Sequence, residues 1–496
     1  MSIHELDLFL LVGSAVTLCA ILAVRLTSVA GLPSLLVYLL MGVVLGESGI
    51  GIHFDDAELA HSLGFAALAL ILAEGGVTTS WRVLRPSMRL GLSLATLGVA
   101  VSVGVMALGG HYLLGLPWEL AVLLGAVTSP TDAAAVFSVL RVVPLPRRLT
   151  GALEAESGLN DAPTVVLVSL ISAGTVHDHP WWVVLAIVVG ELVLGLLVGL
   201  VVGLAGAWVL RHVSLPTSGL YSLSVLALCF FADASASVMH ASGFAAIYVA
   251  AVVLGNAELP HRQVTRGFAE GVAWLAQIGL FVMLGLLLSP STLTWSIVGR
   301  ALLAGLVLTF IARPIAVLVA MVVQPLRPRD AVFLSWAGLR GAVPVVLMTI
   351  PLAEGVAGSV DLFDLVFVLV VVYTLITAPT LPVIARVLRL IQPVDSRAFE
   401  LEVAVLERVA ADLLQITITP DSRLHGVEVG ELRLPRGSSV SLVIRDGESI
   451  PAEPRTVLRR GDDLLVVSPR ALRERTERRL RQVSRYGRLA GWVKGQ

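Results

Sequence analysis

From residue 6 to about residue 392 the chain is a near-unbroken succession of apolar runs, each close to the length of a bilayer-crossing helix. A hydrocarbon layer about 30 Å thick needs roughly 20 apolar residues per helix, and lipid offers no partners for unpaired backbone groups. On that measure there are about 13 candidate spans, starting near residues 6, 31, 61, 90, 118, 149, 181, 216, 241, 267, 296, 330 and 363. Composition agrees: 56% of the residues are hydrophobic and only 14% charged, where soluble domains carry about 25% charged residues. A formal net charge of -1 argues against a nucleic-acid partner. Cys19 and Cys229 lie in apolar runs and give neither a disulfide framework nor a metal-ligand spacing. The first run follows MSIHELD, which lacks the basic start of a cleaved signal peptide, so it reads as a span.

Arginines fall in every second loop: Arg25; Arg82, Arg85 and Arg89; Arg141, Arg147 and Arg148; Arg211; Arg262 and Arg266; Arg327 and Arg329. The alternate loops hold Glu47, Asp55, Asp56, Glu58, Asp178, Glu354 and Asp361. Because basic loops stay cytoplasmic, the N-terminus is expected outside and the C-terminus inside, in a cell (inner) membrane. After about residue 392, short β-branched runs alternate with Pro, Gly and Asp turns, predicting a small cytoplasmic α+β domain. The expected division is a membrane domain at 1–392, a linker at 393–401, the small domain at 402–484 and a basic tail at 485–496. The arginine-rich stretch starting near residue 470 reads as a basic helix, expected to be solvated, with an anionic leaflet or a neighbouring element as the alternative resting place.

The segments GLPSLLVYLLMGVVLG, ending at Gly46, and SGFAAIYVAAVVLG, ending at Gly255, share a pattern at an offset of about 209 positions. The same offset sets SPTD (Ser129 to Asp132) against GLRG (Gly338 to Gly341), both polar breaks inside apolar runs. The matches pair the second span with the ninth and the fifth with the twelfth. That odd shift requires the two copies to cross the membrane in opposite directions. Inverted repeats with paired broken helices are the architecture of secondary transporters, which bind their substrate where the breaks meet.

Ionisable groups at bilayer depth are costly unless paired or hydrated, so each is a functional candidate. In the fifth span, Pro130 removes a backbone donor and disfavours helix at Ser129. Local unwinding would free carbonyls near Thr131 and place Asp132 at a half-helix N-terminus. In the sixth span Ser157 and Asp161 share one helix face, and Glu156 and Asn160 the adjacent one. A hydroxyl with a carboxylate suits a monovalent cation or a proton. Glu156 needs a cationic partner, and Arg340 in the twelfth span is the expected one, as a structural pair, since a guanidinium does not release its proton. Glu74, toward the cytoplasmic end of the third span, would complete the cation shell. Arg313, inside the eleventh span, is expected either to pair with a polar group such as Asn160 or to snorkel to the cytoplasmic face.

TSPTD followed by ESGLND, with AEGG in the third span and GLRGAVP in the twelfth, resembles the NhaP-like electroneutral monovalent cation/proton antiporters over roughly residues 1 to 392. The resemblance implies a homodimer of thirteen-span protomers, each with a scaffold and a moving core that contains two crossed, unwound helices. It also implies that Asp161 is the carboxylate shared by ion and proton, with Ser157, Thr131, Asp132 and Glu74 completing the site. Glu156 and Arg340 would be a structural pair. The later stretch SRLHGVEVGELRLPRGSSVSLVIRDG resembles the TrkA-C (RCK C-terminal) module, implying a regulatory role and, as in some bacteria, a cyclic dinucleotide effector. No G-x-G-x-x-G after a strand precedes it, so NAD binding is not expected, and no resident cofactor is.

The mechanism that follows is competition: proton and cation both bind Asp161, and neither can leave it bare inside the membrane. Asn160 beside Asp161 leaves one exchangeable charge at the pair, hence one cation for one proton. Oxygen ligands accept potassium or sodium; the TrkA-C resemblance favours potassium, with sodium the alternative. A channel gated by the same module is the rival class, disfavoured by buried carboxylates and by the lack of a Gly-rich filter repeat. A hydrolase built on Asp132 and Asp161 lacks any substrate-directed motif.

Overall fold

The computed structural model describes residues 3–30, 34–47, 49–52, 54, 56–132, 136, 145–288, 291, 293–391, 400–406, 411–419, 422–445, 447–469 and 472–487. The chain divides into two compact units, Met1–Ile391 and Gln392–Gln496.

Among the described residues, the regular elements of the first unit are all helices. In order come α1 (Ile3–Ala30), α2 (Ser34–Leu45), α3 (Ala57–Thr78), α4 (Trp81–Tyr112), α5 (Trp118–Thr128), α6 (Arg147–Ser172), α7 (Trp181–His212) and α8 (Ser218–Val238). Then follow α9 (Gly243–Asn256), α10 (Arg262–Leu287), α11 (Trp295–Val323), α12 (Pro328–Trp336), α13 (Val343–Ala353) and α14 (Ser359–Val387). Length and composition single out 7 helices able to cross a membrane among the described residues. That is fewer than the about 13 expected, because broken and charge-bearing helices such as α5, α6 and α12 with α13 fail a test for one continuous apolar helix. Trp81, Trp118, Trp181 and Trp295 open α4, α5, α7 and α11 and are all exposed, as aromatic residues at a membrane interface are.

The helices sort into two bundles. Helices α1 to α3 pack with α7 to α10, while α4 to α6 pack with α11 to α14. The first bundle is knit by glycines that let backbones touch. A Cβ on Gly42 would lie 2.8 Å from the Gly285 Cα, and the counterparts of these two at the repeat offset, Ala251 and Gly76, lie against each other as well. Likewise Gly46 approaches the Leu286 carbonyl, and their counterparts Gly255 and Val77 are in contact. The repeat is therefore real in three dimensions: matched residues make matched contacts, related by a pseudo-two-fold axis.

The second unit is a five-stranded antiparallel sheet, β1 (Glu400–Leu406), β2 (Ala411–Thr417), β3 (Ser439–Arg445), β4 (Glu448–Pro451) and β5 (Asp463–Pro469), in the order β1-β2-β5-β3-β4. Its core includes Leu414, Ile416, Val443, Leu464 and Val466. Helix α15 (Arg473–Tyr486) adds Leu480 and Val483 to that core, so the arginine-rich helix is not solvated all round as expected; it is amphipathic and docked on the sheet. Burial alone would raise the Asp462 carboxyl, but hydrogen bonds from Arg445 and the Arg459 backbone, with both guanidinium charges, hold it below the usual range. Of the expected linker, residues 393–399 lie outside the described residues, while Glu400 and Leu401 begin β1; of the expected tail, residues 488–496 lie outside them.

Candidate functional site

Helix α5 ends at Thr128, and residues 129–132 are non-helical, as Pro130 requires. The twelfth-span counterpart breaks between Trp336 and Val343. The two breaks cross each other. The Asp132 amide donates to the Leu339 carbonyl at 2.9 Å, and a side chain at Gly341 would collide with the Asp132 carboxylate. Asp132 and Gly341 are counterparts at the repeat offset, so residues equated by the repeat meet at its axis.

Unwinding frees backbone carbonyls that must find donors away from water. Arg340 Nη1 donates to the Ser129 and Pro130 carbonyls, both at 2.8 Å. Ser157 Oγ donates to the Thr131 carbonyl at 2.8 Å, and Asn160 Nδ2 to Thr131 Oγ1 at 3.0 Å. The partnership expected of Glu156 and Arg340 is not the one formed. Glu156 takes Arg313 in a two-point ion pair, with Nη1 on Oε1 and Nη2 at 2.8 Å from Oε2. Arg313 is thereby neither snorkelled nor bonded to Asn160. It is 4% exposed and also donates from Nε to the Leu334 carbonyl. The planar guanidinium matches the carboxylate fork, and Arg313 meets Glu156 end-on with both Nη atoms. The other arginine is left to cap the broken helix.

A cavity of about 290 Å³ lies between the two bundles. From α3 it is lined by Glu74, Gly75, Thr78 and Thr79, and from the crossing by Asp132. Helix α6 contributes Glu154, Ser157, Gly158 and Asp161; Tyr248 of α9 and Gln277 of α10 face them. Of the five residues expected at the ion site, Glu74, Asp132, Ser157 and Asp161 share this cavity. Thr131 stands behind it, holding Ser157 and Asn160. Asp161 is 6% exposed, and its Oδ1 has no hydrogen-bond partner among the described residues. A buried carboxylate oxygen left open toward a cavity is a place for a proton or a small cation.

Away from the cavity the same interface is closed. His61 Nδ1 lies 3.1 Å from Thr349 Oγ1. That hydroxyl donates to the Val346 carbonyl at 2.6 Å, so it accepts from the imidazole. Gly64 rests on Val346 across the interface, while Phe65 stacks on Phe244 within the first bundle, with ring centroids 5.4 Å apart. Helices α3 and α13 are thus in direct contact beyond the cavity.

Sequence reasoning gave no site role to several cavity-lining groups, among them Glu154, Tyr248 and Gln277. Glu154 could have been found from its spacing, three residues before Ser157 and seven before Asp161, which puts all three on one face. Nothing in the sequence around Tyr248 marks it.

Inverted repeats, crossed broken helices and a buried carboxylate in a cavity between two bundles define a secondary transporter that exchanges ions, not an enzyme. The comparisons carry this further. The profile of "Sodium/hydrogen exchanger, transmembrane" matches residues 13–387, and the TrkA-C domain profile matches residues 413–481. The K(+)/H(+) antiporter NhaP of Alkalimonas amylolytica is 34% identical over 472 residues, spanning 94% of this chain and 82% of that protein. NhaP2 of Shewanella oneidensis, also a K(+)/H(+) antiporter, is 33% identical over 484 residues with the same coverage. In fold, the chain matches the sodium proton antiporter MjNhaP1 of Methanocaldococcus jannaschii with a TM-score of 0.67 at 20% identity, covering 77% of this chain and 99% of that one. The chain belongs to the sodium/hydrogen exchanger family: it is a multi-pass monovalent cation/proton antiporter that carries a TrkA-C regulatory domain.

Proposed function

We propose that the protein exchanges potassium for protons, one for one, by alternating access, with Asp161 as the carboxylate that both ions occupy in turn. The observation that carries this is Asp161, which lines the inter-bundle cavity and whose buried Oδ1 has no hydrogen-bond partner among the described residues. Ser157, Asp132 and Glu74 supply further oxygens beside it, and Thr131 fixes Ser157. Either ligand neutralises the carboxylate and lets the site cross the low-dielectric interior; the bare anion cannot. Asn160 cannot ionise, so this pair carries one exchangeable charge, which supports the electroneutral stoichiometry. Glu156 with Arg313, and Arg340 at the break, hold the scaffold of the site and carry no transported charge.

Potassium is favoured by the relatives named for it, which match 94% of this chain, its TrkA-C domain included. Sodium is the second reading, because MjNhaP1, named a sodium proton antiporter, shares the fold. The proposal includes an inner-membrane location, an outside N-terminus and a cytoplasmic TrkA-C domain, supported by the alternation of arginine loops. Homodimerisation and a cyclic dinucleotide effector rest on family resemblance alone.

Proton flux in proteoliposomes carrying a pH gradient, with potassium or sodium added, tests the reading. Potassium-triggered dissipation that falls to the rate of empty liposomes in Asp161→Asn is expected. A sodium-only response would change the ion and keep the site. Net charge movement would overturn the one-for-one exchange, and cation flux surviving Asp161→Asn without proton coupling would overturn the antiporter mechanism.

A further inference from the structure

Glu154 is the cavity's remaining carboxylate, and nothing above uses it. It is half-buried on the α6 face that carries Ser157 and Asp161, and it makes no hydrogen bond or ion pair among the described residues. With 1.5 Å of rise per residue it stands about 10 Å along the helix axis from Asp161, toward the α6 N-terminus. A single monovalent ion does not bridge carboxylates that far apart. Across the cavity, the Tyr248 hydroxyl is a second, independent feature. The residue is 5% exposed, and its ring rests directly on Gly158, where no larger residue would leave room for it. Its oxygen interacts with Thr79 but makes no well-formed hydrogen bond among the described residues. A buried phenol and an unpaired carboxylate that line one cavity are two oxygens that a cation entering it would meet.

We propose that Glu154 and the Tyr248 hydroxyl form a second cation station in this cavity, where the transported ion is held before it reaches Asp161. The two thereby set the apparent affinity for the cation. The station rests on the antiporter reading, since it serves an ion bound for Asp161. Its charge acts at a distance. At about 10 Å and an effective dielectric near 20, one unit charge changes cation occupancy at Asp161 by roughly tenfold. The Tyr248 oxygen adds a ligand at the station without adding charge.

Exchange in proteoliposomes, titrated with potassium chloride and in parallel with sodium chloride, tests this. Glu154→Gln is expected to raise the KM for the cation roughly tenfold while keeping the maximal rate within about twofold. Glu154→Asp, which keeps the charge, should return KM to within about threefold of the parent, and Tyr248→Phe should raise it several-fold. An unchanged KM in Glu154→Gln overturns the station, as does a fall in maximal rate and thermal stability together with no shift in KM. The parent protein and Asp161→Asn, run in the same liposomes, separate the two ideas. A silent parent removes the antiporter reading and the station with it, whereas an active parent, a dead Asp161→Asn and an unshifted Glu154→Gln remove the station alone.

Discussion

At the scale of single residues, the deepest electrostatic commitment in the membrane unit is the Glu156–Arg313 pair, both partners under 5% exposed. Such a pair adds little net stability relative to apolar packing, yet breaking it strands a charge in low dielectric. Glu156→Gln is therefore expected to destabilise the protein by roughly 3–5 kcal/mol, read as a lowered unfolding temperature in detergent. Replacing both partners with Leu should recover more than half of that loss. A single mutant as stable as the parent would mean that Arg313 finds another anion. The sequence shows that an intramembrane glutamate needs an arginine, and it cannot show which. Arg313 and Arg340 are equivalent by composition and depth. The choice depends on the rotation of α11 about its axis and on the course of the break between α12 and α13, which set whether a guanidinium meets Glu156 fork to fork or points into the opposite break.

At the scale of elements, the broken fifth span is legible from SPTD alone, because a proline that lacks an amide forces a gap in the helical ladder. The repeat partner at GLRG is legible from the common offset. What the sequence could not convey is the cross-bracing, in which the arginine of one break serves as donor for the carbonyls of the other. Arg340 in effect replaces two backbone amides with one guanidinium nitrogen. Arg340→Ala should leave the Ser129 and Pro130 carbonyls without donors, costing roughly 1–3 kcal/mol each. Exchange should fall with it, although Arg340 does not line the ion cavity. Arg340→Lys, with a point charge in place of the fork, should fold and exchange more slowly than the parent. Exchange rate and unfolding temperature measured on both variants check this, and an Ala variant that matches the parent in both would show that water caps the break instead.

At the scale of the whole molecule, the inverted repeat implies two access states, since each half of the interface can take the arrangement its counterpart holds here. The present state is defined by what is closed. His61 of α3 donates to Thr349 of α13 across the two bundles, with Gly64 on Val346 beside it. None of these contacts can persist if the α4–α6 and α11–α14 bundle slides along α3 to open the other side. Tying them should hold the transporter in one state. With Cys19 and Cys229 replaced, His61→Cys and Thr349→Cys bridged by a short bifunctional thiol reagent should stop exchange, and either single cysteine treated alike should not. A cleavable reagent makes the arrest reversible by reductant, which separates a locked molecule from a damaged one. Ion binding should survive the lock, because Asp161 stays open to its cavity, so cation-dependent thermal stabilisation should persist while flux does not. Undiminished exchange in a fully bridged sample would show that the bundles do not part at this seam, and that the site changes sides by a motion confined to the crossed helices.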